Sequence, residues 1–190
     1  VGAVEREHVL PKQNIGAGDI ILGLASNGVH SNGFSLVRRI VEAQNLGWDA
    51  PTPFDHEAPT LGDALLVGTR IYVKPILAAL KAGQPIKGLA HITGGGLTEN
   101  LPRVLPETCS AEINLNSWQR PALFEWLQES ANIDETELLK TFNCGIGMCV
   151  IVPKDAVTAV KQALASFGET VYEIGTISSM PGGSVQYSRA

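Results

Sequence analysis

The chain has 190 residues, 44% of them hydrophobic and 17% charged, with a formal net charge of −5. This length and composition favour a globular domain that needs neither disulfides nor metal ions for stability. The acidic charge and the lack of any basic run disfavour a nucleic-acid partner, and no apolar stretch reaches the roughly 18 residues of a membrane helix. We therefore expect neither nucleic acid nor a membrane as a partner.

The cysteines point to a reducing compartment. Cys109, Cys144 and Cys149 are odd in number and form no C-x-x-C pair, a pattern that favours free thiols in a cytoplasmic protein and disfavours a zinc site. The chain does not begin with Met, and we expect it to be one part of a longer protein.

The first half of the chain begins with a strand, a loop and a helix. Residues 1–5 are expected to form a short strand, followed by a turn-rich connection. The apolar run IILGLA at 20–25 is typical of a strand covered on both faces. After the loop GVHSNG, apolar residues recur at helical spacing from Phe34, and Gly47 is expected to end this helix.

The same arrangement then recurs. A proline-rich loop at 51–59 precedes a predicted helix over 61–67, and Pro75 is expected in the first turn of a further helix that Gly83 ends. A strand over 86–92 leads into three consecutive glycines and a short helix that Pro102 limits. A strand, a glycine-rich loop and a helix therefore occur twice.

The second half continues the alternation. The hydrophobic pattern predicts strands over 111–115, 148–152, 171–178 and 184–187, and helices over 121–129, 134–140 and 153–165. Interleaved helices and strands indicate an α/β fold, which we expect to be a layered α/β/α domain. Its sheet is expected to be mixed, because only a short turn joins the last two strands. No repeat supports a second domain, so we expect residues 1–190 to form one domain.

Both glycine-rich loops are candidate phosphate sites. The glycines of GVHSNG fit the skeleton of a P-loop, but Phe34 stands where that motif has lysine. Backbone N–H groups at the start of a helix can hold an anion without a cationic side chain. The candidate contacts are Ser31, Asn32, Gly33, Thr93, Gly94, Gly95 and Gly96. The alternative is that the glycines only form turns.

Two histidines and two further polar residues complete the candidate site. His30 lies in the first loop and His91 precedes the second; an unperturbed imidazole titrates at about pH 6.5 and can accept or donate a proton at neutral pH. His30 is the first candidate for catalysis and His91 the second, although either could be a structural histidine. Arg70 could bind phosphate or pair with a surface acid, and Asn143 could face a ligand. No metal ligands are predicted.

Four blocks of sequence carry a family resemblance: HSNGFSLVR at 30–38, TRIYVK at 69–74, AHITGGGLTENLPRVLP at 90–106 and TFNCGIGM at 141–148. In this order they resemble the C-terminal domain of aminoimidazole ribonucleotide synthetase, also called phosphoribosylformylglycinamidine cyclo-ligase. The resemblance spans nearly the whole chain. The wider superfamily, which includes formylglycinamidine ribonucleotide synthetase, selenophosphate synthetase and a hydrogenase maturation protein, shares the glycine loops.

The resemblance implies an ATP-dependent ligase of purine biosynthesis. Such an enzyme converts formylglycinamidine ribonucleotide and ATP into aminoimidazole ribonucleotide, ADP and phosphate. The family implies an N-terminal domain that binds most of the ATP and its Mg²⁺ and forms a homodimer. This chain would then be the C-terminal half of a two-domain enzyme and inactive by itself.

Two alternatives stay open on the sequence. The chain could belong to a superfamily relative that transfers the phosphate of ATP to another acceptor. It could also be a non-catalytic binding module whose glycine loops only shape a surface.

Overall fold

A six-stranded sheet forms the middle layer of the protein. The computed structural model describes residues 2–11 and 14–189. The strands are β1 (Ile20–Ala25), β2 (Gly88–His91), β3 (Ser110–Asn114), β4 (Ile146–Val152), β5 (Val171–Ser178) and β6 (Val185–Ser188). The helices are α1 (Phe34–Ala43), α2 (Leu61–Leu65), α3 (Val73–Lys81), α4 (Gly96–Asn100), α5 (Ala122–Ala131), α6 (Glu135–Thr141) and α7 (Val157–Ala165). Short 3₁₀ turns occupy Arg6–His8, Pro102–Val104 and Lys154–Ala156.

The sheet is mixed, as predicted. Its strand order is β2-β4-β1-β5-β3-β6. β3 and β6 run parallel, whereas the other neighbouring strands are antiparallel. The short link between β5 and β6 does not make them neighbours, because β3 lies between them. The mixed character therefore comes from the pairing of β3 with β6 and not from a hairpin at the end of the chain.

Helices cover both faces of the sheet, and each face has its own hydrophobic core. Along β1, Ile21 contributes to the core under α1, α4, α5 and α6, whereas Leu22 contributes to the core under α3 and α7. This alternation follows from the two-residue period of a strand. It confirms the prediction that the apolar run at 20–25 is covered on both sides, and the α/β fold in three layers.

Several element boundaries differ from the sequence predictions. The strand predicted over 1–5 is absent from residues 2–5, which are exposed and precede the turn at Arg6–His8, while residue 1 lies outside the described residues. The first helix ends at Ala43 rather than near Gly47, because Asn45 adopts a left-handed conformation with φ 53°. The helix predicted from residue 153 begins with the turn Lys154–Ala156, so α7 starts at Val157.

No helix in the described part of the chain combines the length and hydrophobicity needed to cross a bilayer. The three cysteines are free and buried.

Candidate functional site

The two glycine-rich loops leave the sheet at the same edge. Both β1 and β2 run antiparallel to β4, which lies between them, so the carboxyl ends of β1 and β2 lie on either side of the start of β4. There the loops meet: Asn32 Oδ1 lies 3.6 Å from where a methyl group on Gly94 would sit. The topology thus joins two loops that are about sixty residues apart in sequence.

The end of the first loop turns sharply over an aromatic ring. Gly33 has φ +75°, and a methyl group there would lie 2.2 Å from Cε1 of Phe142. Only glycine combines this conformation with such a close approach. Gly33 then caps α1, which has no side-chain cap at its N-terminus. The first backbone N–H groups of this ten-residue helix therefore receive no hydrogen bond acceptor from a capping side chain.

Four backbone N–H groups at the meeting of the loops are candidate anion donors. Those of Asn32, Gly33, Gly94 and Gly95 donate to no acceptor within the described residues. Each of the four residues is partly or fully exposed, so a ligand can reach them. A backbone N–H group that is removed from water needs another acceptor. For these four N–H groups the acceptor is either solvent or a ligand.

The second loop is held from within by Asn100. Its side-chain Nδ2 donates to the carbonyl oxygens of Gly96 at 2.8 Å, Gly94 at 3.1 Å and Thr93 at 3.4 Å. The hydroxyl of Thr93 donates to Asn100 Oδ1 at 3.2 Å. The Thr93 proton is therefore already used inside the loop, although the sequence analysis predicted that it would contact phosphate. Asn100 was not among the predicted site residues.

A carboxylate also lies over this loop. Glu99 Oε2 is 2.6 Å from where a methyl group on Gly95 would sit, and the Glu99 side chain is exposed. None of the ion pairs of the described residues involves Glu99. A negative charge therefore stands beside the N–H groups of the second loop.

His30 is buried and joins the first loop to a neighbouring segment. Its side chain is 3% exposed, and Nε2 lies 2.9 Å from Asn27 Oδ1. Asn27 Nδ2 donates to the carbonyl oxygen of Gly68 at 3.1 Å, so Asn27 presents Oδ1 to Nε2 of His30, which also lies 3.4 Å from the backbone nitrogen of Asn27 and 3.5 Å from that of Arg70. Nδ1 of His30 is buried and has no hydrogen-bond partner among the described residues. Burial, with the nearby His91 and Arg70, lowers the pKa of His30 to about 4.

His91, in contrast, is exposed and borders an apolar cavity of about 450 Å³. Tyr72 separates the two histidines: its ring centroid lies 6.2 Å from that of His91 and 6.4 Å from that of His30. The Tyr72 hydroxyl donates to the carbonyl oxygen of Ala25 at 2.8 Å. The remaining walls of the cavity are Thr69, Arg70, Ile71, Val73, Ile76, Leu77 and Met148. The histidine that the sequence analysis placed second is thus the one that a ligand can reach.

Two other predicted contacts have internal partners. Arg70 Nε forms an ion pair with Glu169 at 2.8 Å, and an Nη of Arg70 donates to the carbonyl oxygen of Gly168 at 2.9 Å. Asn143 is 1% exposed. It accepts hydrogen bonds from Ser26 Oγ and from the N–H of Gly145, and it donates to the carbonyl oxygen of Gly28. Asn143 therefore fastens the first loop to the start of β4 and has no free polar atom for a ligand.

Ser31 remains exposed beside the first loop, where its Oγ lies 3.1 Å from the hydroxyl oxygen of Thr69. Among the described residues, no group of three or more His, Cys, Asp or Glu side chains is arranged to hold a metal ion.

Comparison with known proteins identifies related sequences. Residues 16–188 match the family model described as "AIR synthase related protein, C-terminal domain". Two proteins of Neisseria meningitidis serogroup C, both named phosphoribosylformylglycinamidine cyclo-ligase, are 54% identical to this chain over 182 residues. The alignments cover 96% of this chain and 52% of each relative. The chain thus spans about half the length of these curated relatives.

Solved structures share the fold at low sequence identity. Thiamine-monophosphate kinase from Stenotrophomonas maltophilia K279a matches with a TM-score of 0.67 at 16% identity, over 97% of this chain and 54% of that chain. The hydrogenase maturation protein HypE of E. coli matches with a TM-score of 0.55 at 22% identity, over 92% and 48%. T. maritima PurL complexed with FGAR matches with a TM-score of 0.55 at 12% identity, over 97% and 28%.

Proposed function

We propose that this chain, which belongs to the family of the AIR synthase related protein C-terminal domain, is the C-terminal half of a phosphoribosylformylglycinamidine cyclo-ligase. The observation that carries the proposal is the 54% identity to enzymes of that name over 96% of the chain. The whole enzyme would close the imidazole ring of aminoimidazole ribonucleotide from formylglycinamidine ribonucleotide, with hydrolysis of ATP to ADP and phosphate.

In this proposal the meeting of the two glycine loops is the phosphate site. The outward N–H groups of Asn32, Gly33, Gly94 and Gly95 would bind either the 5′-phosphate of the ribonucleotide or the phosphate that ATP transfers. The ten-residue helix α1 adds a partial positive charge at Gly33. Ser31 is the neighbouring side chain whose hydroxyl is exposed. No cationic side chain is required, which accounts for Phe34 at the place of the P-loop lysine.

We assign the two histidines different roles. His91 borders the open cavity beside the second loop, so it is the residue proposed to contact the substrate and exchange a proton with it. His30 is buried and is neutral at physiological pH because its pKa is lowered to about 4. It is proposed to position the first loop through Asn27. Arg70 and Asn143 are proposed as supporting residues, since both already have internal partners.

The cavity gives the reacting part of the substrate a place next to the phosphate site. Its volume of about 450 Å³ falls within the range of small-molecule sites, which is roughly 300–1,000 Å³. Its apolar walls would exclude water from an activated phosphorylated intermediate, which hydrolysis would otherwise destroy. This arrangement suits a reaction in which a nitrogen of the substrate must displace phosphate before water does.

ATP and Mg²⁺ are proposed to bind mainly outside this chain. The described residues offer no carboxylate cluster for a metal ion. A second, N-terminal domain would therefore supply the metal ligands and most contacts to the triphosphate, and would also form the proposed homodimer. The isolated chain is expected to bind phosphate without catalysing the cyclisation.

A chimeric enzyme tests this proposal. The matching segment of the Neisseria meningitidis cyclo-ligase would be replaced by this chain, and formation of aminoimidazole ribonucleotide from formylglycinamidine ribonucleotide and ATP would be measured. We expect the chimera to be active, since the exchanged segments are 54% identical. A chimera that folds and dimerises like the parent but forms no product would contradict the proposal.

Two variants of the chimera test the roles of the histidines. His91→Asn is expected to lower kcat by about 100-fold or more, which is the range for loss of a proton-transferring group. His56→Asn, at an exposed position outside the site, is the matched control and is expected to leave kcat unchanged. If His91→Asn keeps full activity, His91 is not catalytic.

A further inference from the structure

We propose that Asn100 is the positioning residue that makes loop 93–96 a binding site for anions. This inference rests on the proposed function, because it takes the loop to bind phosphate. Asn100 is the last residue of α4 and is 4% exposed. It does not face the ligand; its side chain points into the loop that precedes its own helix.

The orientation of the Asn100 amide is determined by its neighbours. One end of the amide lies 2.8 Å from the carbonyl oxygen of Gly96 and 3.1 Å from that of Gly94. Because carbonyl oxygens only accept, this end must be the NH₂ group. The other end, Oδ1, receives the hydroxyl proton of Thr93 at 3.2 Å. In the reverse orientation, Asn100 Oδ1 would lie against the carbonyl oxygens of Gly94 and Gly96, and none of these three oxygens can donate.

This orientation decides which way two backbone N–H groups point. In a trans peptide the C=O and the following N–H lie in one plane and point in opposite directions. The carbonyl of Thr93 is held inward by the N–H of Gly96 at 3.0 Å and by Asn100 Nδ2 at 3.4 Å, so the N–H of Gly94 turns outward. When Asn100 draws the carbonyl of Gly94 inward, the N–H of Gly95 turns outward. Both N–H groups lack an acceptor among the described residues.

Consecutive glycines make such a constraint necessary. Gly95 and Gly96 have φ +96° and +56°, and glycine adopts positive and negative φ with similar ease. Without the amide, peptides of this loop could rotate and present carbonyl oxygens to the ligand. A carbonyl repels a phosphate oxygen, whereas an N–H binds it. Asn100 therefore selects the conformation that attracts an anion over one that repels it.

The test compares anion binding by the wild-type chain with N100D and N100A. The N–H signals of Gly94 and Gly95 would be followed by NMR during titration with inorganic phosphate and with sulfate. We expect both variants to bind either anion about tenfold more weakly or worse, since each leaves the carbonyl of Gly94 without a donor among the described residues and frees its peptide to rotate. The matched control is N45D, which makes the same charge change at an exposed residue and should change affinity by less than about twofold.

Acid rescue distinguishes positioning from a general structural role. From about pH 8 to about pH 5 sulfate stays a dianion, while a carboxyl in place of the amide, facing carbonyl oxygens, gains a proton that it can donate. N100D should therefore recover sulfate affinity relative to wild type as the pH falls, whereas N100A should not. If N100D fails to fold, N100S replaces it, and its single hydroxyl donor is expected to give an affinity between those of N100A and the wild-type chain.

The outcomes separate this inference from the proposed function. If the wild-type chain shows no shift of Gly94 or Gly95 with either anion, the phosphate role of the loop is wrong and the inference fails with it. If the wild-type chain binds and both variants bind within twofold of it, the phosphate site stands and the role of Asn100 is overturned. Weaker binding without acid rescue in N100D, or without the intermediate affinity of N100S, would also overturn it.

Discussion

The Tyr72 hydroxyl lies directly over the α-carbon of Gly147, so that a methyl group on Gly147 would sit 2.1 Å from the hydroxyl oxygen. The same methyl group would lie 2.7 Å from Cε1 of His30. Gly147 is the second residue of β4 and lies at the end of the sheet where the two loops leave. The absence of a side chain there lets Tyr72 and His30 pack against the strand, and Tyr72 in turn contacts His91.

Replacing Gly147 should disturb this packing. We expect Gly147→Ala to lower the free energy of unfolding by about 1–3 kcal/mol, the usual cost of an overpacked core, because both Tyr72 and His30 must move. Urea denaturation measures the change. Gly16→Ala is the control, since a methyl group there meets no atom within 4 Å. Equal losses in the two variants would show that Tyr72 can move without cost.

The buried imidazole of His30 should make stability depend on pH. Its pKa is lowered to about 4 by burial first and by His91 and Arg70 next, whereas an unfolded histidine titrates at about 6.5. Between these values the unfolded state binds more protons, so stability is highest above about pH 6.5 and falls as the pH drops towards 4.

Denaturation at several pH values tests this dependence. The fall in stability between about pH 7 and about pH 5 should be smaller in His30→Gln than in the wild-type chain, since glutamine does not titrate. His56→Gln, at an exposed position, should keep the wild-type slope. A His30→Gln slope as steep as that of the wild-type chain would show that His30 does not cause it.

Removing the charge of Glu99 should strengthen anion binding at the second loop. The carboxylate lies beside Gly95 and repels a phosphate there. We expect Glu99→Gln to bind inorganic phosphate about two- to fivefold more tightly at low salt, because the repulsion between two exposed charges is of this size. At high salt this advantage should disappear, because salt screens the repulsion. Glu42→Gln, at the far end of α1, is the control, roughly 14 Å along the helix from Gly33. A weaker affinity in Glu99→Gln would indicate that Glu99 contacts the ligand favourably.

Asn143 should be a main support of the first loop. Asn143→Ala leaves the carbonyl of Gly28 and the N–H of Gly145 without their partner, and we expect a loss of about 2–4 kcal/mol in the free energy of unfolding. Hydrogen exchange should also become faster around Ser26. Gln44→Ala, an exposed change, should cost less than about 0.5 kcal/mol. A small loss at Asn143 would mean that water replaces these hydrogen bonds.

The thiols should be unreactive while the chain is folded. All three cysteines are buried, and burial raises the pKa of Cys144 to about 12, so that little thiolate forms at neutral pH. A thiol reagent that generates a coloured product should label no cysteine quickly in the native chain and three after denaturation. Rapid labelling of one native thiol would reveal local opening at that residue.

The elements that the sequence predicted well are those with a local cause. The apolar run IILGLA became β1 with the predicted bounds, and glycines marked both loops of the site. The burial of His30 had no such signal, because it depends on Asn27, Gly68 and Tyr72, which the chain brings together only in the folded protein. For the same reason a polar loop context suggested an accessible histidine where the structure has a buried one.

Asn100 and Asn143 are two further residues whose contacts depend on the folded structure. Both are amides near glycines, and the sequence pattern cannot distinguish an amide that faces a ligand from one that ties a loop to its own backbone. Asn143 was predicted to face a ligand and instead binds Ser26, Gly28 and Gly145. The sequence nevertheless indicated that a residue such as Asn100 was needed: three consecutive glycines before a helix are flexible, and a side chain must restrict their backbone conformation.

The placement of β1 at the centre of the sheet constrains how the protein is made. Its neighbours are β4 and β5, and Ile20 pairs with Val152 on one side and Thr176 on the other. During synthesis β1 therefore leaves the ribosome with neither partner available, and more than a hundred residues must follow before the sheet can close around it. Such distant pairing slows folding and leaves an apolar strand exposed meanwhile. We expect nascent chains that end before β4 to depend on chaperones. The sheet can close only after the second half of the chain has been translated.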